Sequence, residues 1–221
     1  MYILHQFALC PFSRLVRVLL SEKQCAFKLV EEKYWERNNS LARINPALEV
    51  PVLVAGSHSI CSIYAICEYL EESVSPKIFL TEDPLINAEI RRLCYWFNDK
   101  FHHEVTKYFI EEKIISHYMR RGAPRTEFIR AARNNLVQHL DYMELLLNSR
   151  KWLAGDVLSL ADLTAAAQIS SLDYLGDMNW DKHQLTKEWY AVLKSRPSFR
   201  QLLVDRIVGF TPPPHYQNLD F

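Results

Sequence analysis

Apolar positions in the first eighty residues fall in short blocks, whereas further on they recur every three or four residues. Tyr2 to Gln6 is an apolar block that predicts a strand. Phe12, Leu15, Val18 and Leu19 then repeat at helical spacing up to Glu22, and Phe27 to Glu31 predicts a second strand. Residues 51–55 and 57–61 predict a third and fourth, with Gly56 at the turn of a hairpin. Ile63, Ile66, Cys67 and Leu70 form one face of a helix. This order implies a mixed sheet packed by helices.

Beyond residue 80 the pattern is helical only. Ile86, Ile90, Leu93, Phe97, Phe101, Val105 and Phe109 predict a helix of roughly thirty residues, against a usual average of ~11–12. A second opens at Pro124, with Phe128, Ala132, Leu136, Leu140, Met143 and Leu147 on one face. A third starts at Ser159, a fourth covers 187–194, and Pro197 opens a last short one. The two parts also differ in composition: all ten Asp residues lie after residue 80. The polar, proline-marked stretch around Ser75-Pro76 and Asp83-Pro84 reads as a linker. The expected organisation is an N-terminal domain at 1–74, a linker at 75–84, an all-helical domain at 85–208 and a tail at 209–221.

Charge and cysteine use narrow the function. Lys+Arg 26 balances Asp+Glu 26, which argues against a general nucleic-acid binder. No apolar run approaches the ~18 residues of a membrane span. The first residues lack a signal peptide's basic and apolar regions, so a cytoplasmic location is expected. The five cysteines form no Cys-x-x-Cys pair, so neither a disulfide framework nor a metal site is expected. With only 5 Gly, a glycine-rich phosphate cradle is excluded.

Three stretches carry candidate chemistry. In Cys10-Pro11-Phe12-Ser13-Arg14, Pro11 suits the first helical position and leaves Cys10 as N-cap, where free N–H groups favour a thiolate. Ser13, in the same turn, could donate to a thiolate ligand; the bland alternative is a capped helix with an inert cysteine. At Val50-Pro51, a proline opening a strand can hold a cis bond and expose a backbone edge to a peptide-like ligand. Ser159 and Asp162 form a Ser-x-x-Asp capping box, which serves folding rather than catalysis.

Together with Asn45-Pro46, Ser59-Ile60, the helix Ala65 to Leu70 and Arg196-Pro197-Ser198-Phe199, these stretches resemble the glutathione transferase superfamily over nearly the whole chain. The resemblance implies an α+β protein: a thioredoxin-like N-terminal domain with a cis-proline before its third strand, then an all-helical domain, and a homodimer. It also implies a glutathione site at Val50, Pro51, Ser62 and Ile63. There the chain departs from the pattern. The family places an adjacent Glu-Ser pair on the γ-glutamyl end of glutathione, and this sequence has Ser62-Ile63. Losing such a charge-assisted contact costs ~1.5–3 kcal/mol, roughly 10–100-fold in affinity. Glutathione is thus a doubtful ligand.

Cys10-Pro11-Phe12 is similar to omega-type members, which use the cysteine for thiol transfer. The tail after Gly209, together with Trp35, which stands among Glu31, Glu32, Lys33, Glu36 and Arg37 and reads as an exposed loop, resembles a different subgroup. These are the transferase-like cell-division proteins of alphaproteobacteria, which bind filaments of the tubulin-like division GTPase FtsZ. Two functions follow: a non-catalytic FtsZ binder whose contacts include Trp35, Leu219, Asp220 and Phe221, or a glutathione-dependent enzyme using Cys10 or Ser13. The apolar tail either docks on its own fold or presents a recognition peptide. With the core assigned to helices ending before Gly209, its removal is expected to cost the fold little.

Overall fold

The structure is a computed structural model and describes residues 1–219. Its sheet has the order β2-β1-β3-β4. The central strand β1 (Tyr2–Gln6) pairs in parallel with β2 (Phe27–Glu31), placing Leu4 opposite Leu29. On its other side it pairs antiparallel with β3 (Val52–Ala55), which turns back into β4 (His58–Cys61). The helix α1 (Pro11–Glu22) crosses from β1 to β2, and α3 (Ile63–Ser73) follows the hairpin. Leu4, Leu53, Leu15, Leu19 and Ile66 fill the space between them. This is the thioredoxin-like arrangement. β3 begins one residue later than the pattern predicts, because Pro51 has no N–H to give a ladder.

Two short elements between β2 and β3 escape the periodicity: a 3-10 turn at Tyr34–Glu36 and the helix α2 (Asn39–Ile44). Asn38 caps α2 by accepting from the Leu41 N–H. Only Leu41 of α2 is buried, too little to leave a pattern.

The second domain is helical throughout. A long helix, α4 (residues 84–118), opens as the ordinary α-helix Pro84–Tyr95, with the Asp83 carboxylate accepting from the Leu85 and Ile86 N–H groups. It widens to π-type turns at Trp96–Thr106 and Ile110–Ile115. It outruns its predicted end at Phe109 because Ile110, Ile114 and Ile115 are also buried. α5 (Thr126–Leu147), α6 (Leu160–Tyr174), α7 (Gln184–Lys194) and α8 (Pro197–Leu203) complete the bundle. α6 is buried along its whole length, so it is the centre of the domain. The capping box starts it: the Asp162 carboxylate accepts from the Ser159 N–H and hydroxyl, and also from Leu153 N–H and the Trp189 indole.

The segment that follows α3 is held by a buried ion pair. The Lys23 ammonium, wholly buried, meets the Glu71 carboxylate at 2.6 Å and donates to the Val74 and Pro76 carbonyls. Glu71 accepts from the Phe79 and Leu80 N–H groups. Each charge has its partner and further hydrogen bonds, the condition under which burial is tolerated.

The tail corrects an expectation. The core does not end before Gly209: Tyr216, in a 3-10 turn at Pro214–Gln217, is fully buried. Its hydroxyl accepts from Arg14 at 3.0 Å and donates to the Leu202 carbonyl at 2.9 Å. The tail docks on its own fold as far as Leu219, which packs against the apolar cluster that contains Tyr216. Asp220 and Phe221 lie outside the described residues.

Candidate functional site

A cleft of about 550 Å³ opens where the start of α1, the turn into β3, the start of α3 and the middle of α4 meet. Cys10, Val50, Pro51, Ser62 and Ile63 all line it, so the structure brings five of the sequence-derived site residues together. The Val50–Pro51 peptide bond is cis. Ser62 stands before α3 at φ 74, where its exposed side chain faces the cleft, and Ile63 is buried as the first residue of the helix. Neither offers a carboxylate at this point of the cleft.

Cys10 does cap α1, with extended backbone and Pro11 following. Its thiol is nonetheless buried, 3.7 Å from the Val50 carbonyl to which it donates. That burial pushes the thiol upward from its ordinary value, against hydrogen bonds from Ser13 and Phe12 and the nearby Arg14 charge, which act to lower it. The expected low-pKa thiolate is thus corrected: desolvation outweighs the helix terminus. Ser13 is fully buried behind Cys10, where its hydroxyl also accepts from the Phe7 N–H at 3.4 Å. It does not reach the cleft.

The opposite wall comes from α4, where the adjacent pair His102-His103 reads from sequence as no more than helix residues pointing apart. Asn98, His102, Lys107 and Ile110 line it. The His102 ring packs on Phe12 at 4.5 Å, and burial lowers its pKa to about 4, so the imidazole is neutral. Tyr34 also lines the cleft, its hydroxyl shifted upward chiefly by burial. Among the described residues no group of three or more His, Cys, Asp or Glu is disposed to hold a metal, and no helix is long and apolar enough to cross a membrane.

Tyr34 also connects the cleft to Trp35 through ring contact at 5.3 Å, and here a further expectation is corrected. Trp35 is half-buried, not an exposed loop residue. Its indole stacks on Tyr118 with ring centroids 5.3 Å apart and planes within 5°, and meets Phe7 edge-on at 5.1 Å. The flanking charges gave no hint of this, since Tyr118 belongs to the far end of α4. Leu219 is half-buried and borders the same apolar cluster as Trp35. Two partner-contact residues named from sequence, Trp35 and Leu219, thus border one cluster.

Comparison with known proteins agrees with this geometry. The family model described as glutathione S-transferase, N-terminal domain, matches residues 4–77, and its C-terminal counterpart matches residues 101–206. FtsZ-localized protein A of Caulobacter vibrioides is 44% identical over 99% of this chain and 97% of its own length. The solved structure of FzlA from C. crescentus superposes with a TM-score of 0.95 at 44% identity, covering 100% of this chain and 99% of that one. A structure described as a glutathione S-transferase from Rhodospirillum rubrum F11 gives 0.96 at 46% identity, covering both chains fully. A plant transferase of Arabidopsis thaliana, TCHQD, is 27% identical over 74% of each chain.

Proposed function

This chain belongs to the glutathione S-transferase family, and from that premise we propose that it is a non-catalytic member that binds filaments of the division protein FtsZ. The observation that carries the proposal is end-to-end similarity to FtsZ-localized protein A, 44% over 99% of the chain. The cleft supports the same reading. Where the family holds the γ-glutamyl group with Glu-Ser, Ser62 and Ile63 supply neither charge nor a second hydroxyl, and the Cys10 thiol is buried and bonded to Val50. A retained fold with a weakened ligand site suits a protein whose work is done by its outer surface.

In this reading the protein acts in the cytoplasm, where FtsZ assembles, and as a homodimer. The face formed by α3 and α4 suits a second copy, with Tyr64 and Tyr95 exposed at 43% and 58% beside the Arg91–Glu68 ion pair. Co-sedimentation of the purified chain with FtsZ filaments tests the proposal. Pelleting that saturates with filament concentration is the expected result; a chain that stays in the supernatant contradicts it.

A further inference from the structure

The cleft keeps its volume although Ser62 and Ile63 give glutathione no charged hold. At about 550 Å³ it lies within the range of small-molecule sites, roughly 300–1,000 Å³. Phe12, Ile63 and Ile110 give it apolar lining, and the half-buried Tyr34 adds an aromatic ring. A concave apolar surface with a few polar groups converging on it is the usual form of a ligand site. Those polar groups indicate which ligand.

Three carboxylates line the cleft, those of Glu49, Asp99 and Glu111, against one ammonium, Lys107. They come from both walls, Glu49 from the turn into β3 and the others from α4. The remaining titratable groups do not offset them. Burial holds Cys10 and Tyr34 in their neutral forms, and it leaves the His102 imidazole a neutral hydrogen-bond acceptor. Asp99 meets the His103 ring at 3.8 Å and Glu111 meets Arg121 at 3.6 Å, both loose pairs at exposed side chains. Such pairs are worth little. Among the described residues the exposed Glu49 carboxylate has no partner at all, while the Asn45 amide donates to the Glu49 carbonyl at 2.9 Å and fixes the turn that carries it. The cleft is therefore negative, so an anion such as glutathione is repelled and a cation is drawn in.

We propose that the cleft is a binding site for an amphipathic amine, an alkyl- or arylammonium whose apolar body packs on Phe12, Ile63 and Ile110 and whose ammonium meets Glu49. Glu49 is the group that selects for charge, because it is the lining carboxylate with no cation of its own. The Tyr34 ring offers a face for the ammonium as well, an attraction of the cation–π kind. This site does not depend on the filament reading, since it concerns the cleft and a small molecule.

The test is titration of the full chain, followed by NMR, with three probes that share a phenyl ring and differ in charge: phenethylammonium, phenethyl alcohol and hydrocinnamate. The ammonium is expected to bind at millimolar concentration, more tightly than the alcohol, and the carboxylate most weakly. A gap of about tenfold between ammonium and carboxylate is expected, since one gains an attraction and the other meets a repulsion. Glu49→Gln should weaken the ammonium by about two- to fivefold, the worth of one exposed ion pair, and leave the alcohol unchanged. Glu49 is exposed, so this variant keeps the packing of the fold. Added salt should weaken the ammonium and spare the alcohol. Ammonium binding that is absent, no tighter than that of the carboxylate, or indifferent to Glu49→Gln would overturn the site. None of these results bears on co-sedimentation with filaments, so the two proposals fail separately.

Discussion

Arg14 and Tyr216 stand 202 positions apart in the chain, yet the Arg14 guanidinium donates to the Tyr216 hydroxyl at 3.0 Å with both side chains fully buried. The same guanidinium donates to the Ala8 and Ser170 carbonyls and reaches Asp205 at 3.3 Å. One arginine on α1 thus ties together the first domain, the central helix α6 and the C-terminal tail. A buried cation is tolerated only when satisfied in this way.

Truncation after Gly209 is therefore expected to lower thermal stability clearly, because it strips Tyr216 from Arg14 and opens a cavity against Tyr174, whose ring lies 5.1 Å away. Tyr216→Ala alone should cost about 3–5 kcal/mol, the range for large aromatic truncations. Tyr216→Phe should cost about 1–3 kcal/mol, leaving Arg14 and the Leu202 carbonyl each short of a partner. Denaturant unfolding of the three variants checks this. A truncated protein that unfolds with the wild type would show that the tail is not part of the core.

The Cys10 thiol should alkylate slowly at neutral pH, with a titration midpoint above that of an ordinary cysteine. Iodoacetamide rate against pH is the measurement. A midpoint below ~8.5 would mean that the helix terminus outweighs burial after all.

Glutathione titrated into the unmodified protein by calorimetry should give little heat at millimolar concentration. Ser62→Glu combined with Ile63→Ser should then gain affinity by roughly 10–100-fold, the worth of one charge-assisted contact. No gain would place the obstruction elsewhere in the cleft.

Acid should weaken the fold partly through His102. Its folded pKa, about 4, lies below the ~6.5 of a free imidazole, so the unfolded chain takes up a proton first. The neutral ring's contribution is complete above pH 6.5 and is lost as pH falls towards 4, up to about 3 kcal/mol in all. His102→Gln should flatten the stability profile across that window. An unchanged slope would contradict the assignment.

Local signals in the sequence held and distant ones did not. Ser159 and Asp162 lie three residues apart, so the capping box was legible, as was the cis Pro51 just ahead of β3. Cys10 was correctly placed at a helix start, but its burial depends on the Val50 turn forty residues away, which no local pattern reports. The charges around Trp35 indicated exposure, whereas its stacking partner Tyr118 arrives from α4. The tail misled for the same reason: Tyr216 reads as an isolated aromatic among prolines until Arg14 is folded beneath it. Lys107 and Asn98 carried no signal, since their place in the cleft follows from how the second domain packs on the first.

The central claim, a transferase fold turned to filament binding without glutathione, is tested most directly by one assay. The protein is co-sedimented with FtsZ filaments in the presence and absence of millimolar glutathione. The account predicts saturable pelleting that glutathione leaves unchanged. A protein that remains in the supernatant in both conditions, or pellets only when glutathione is present, would contradict it.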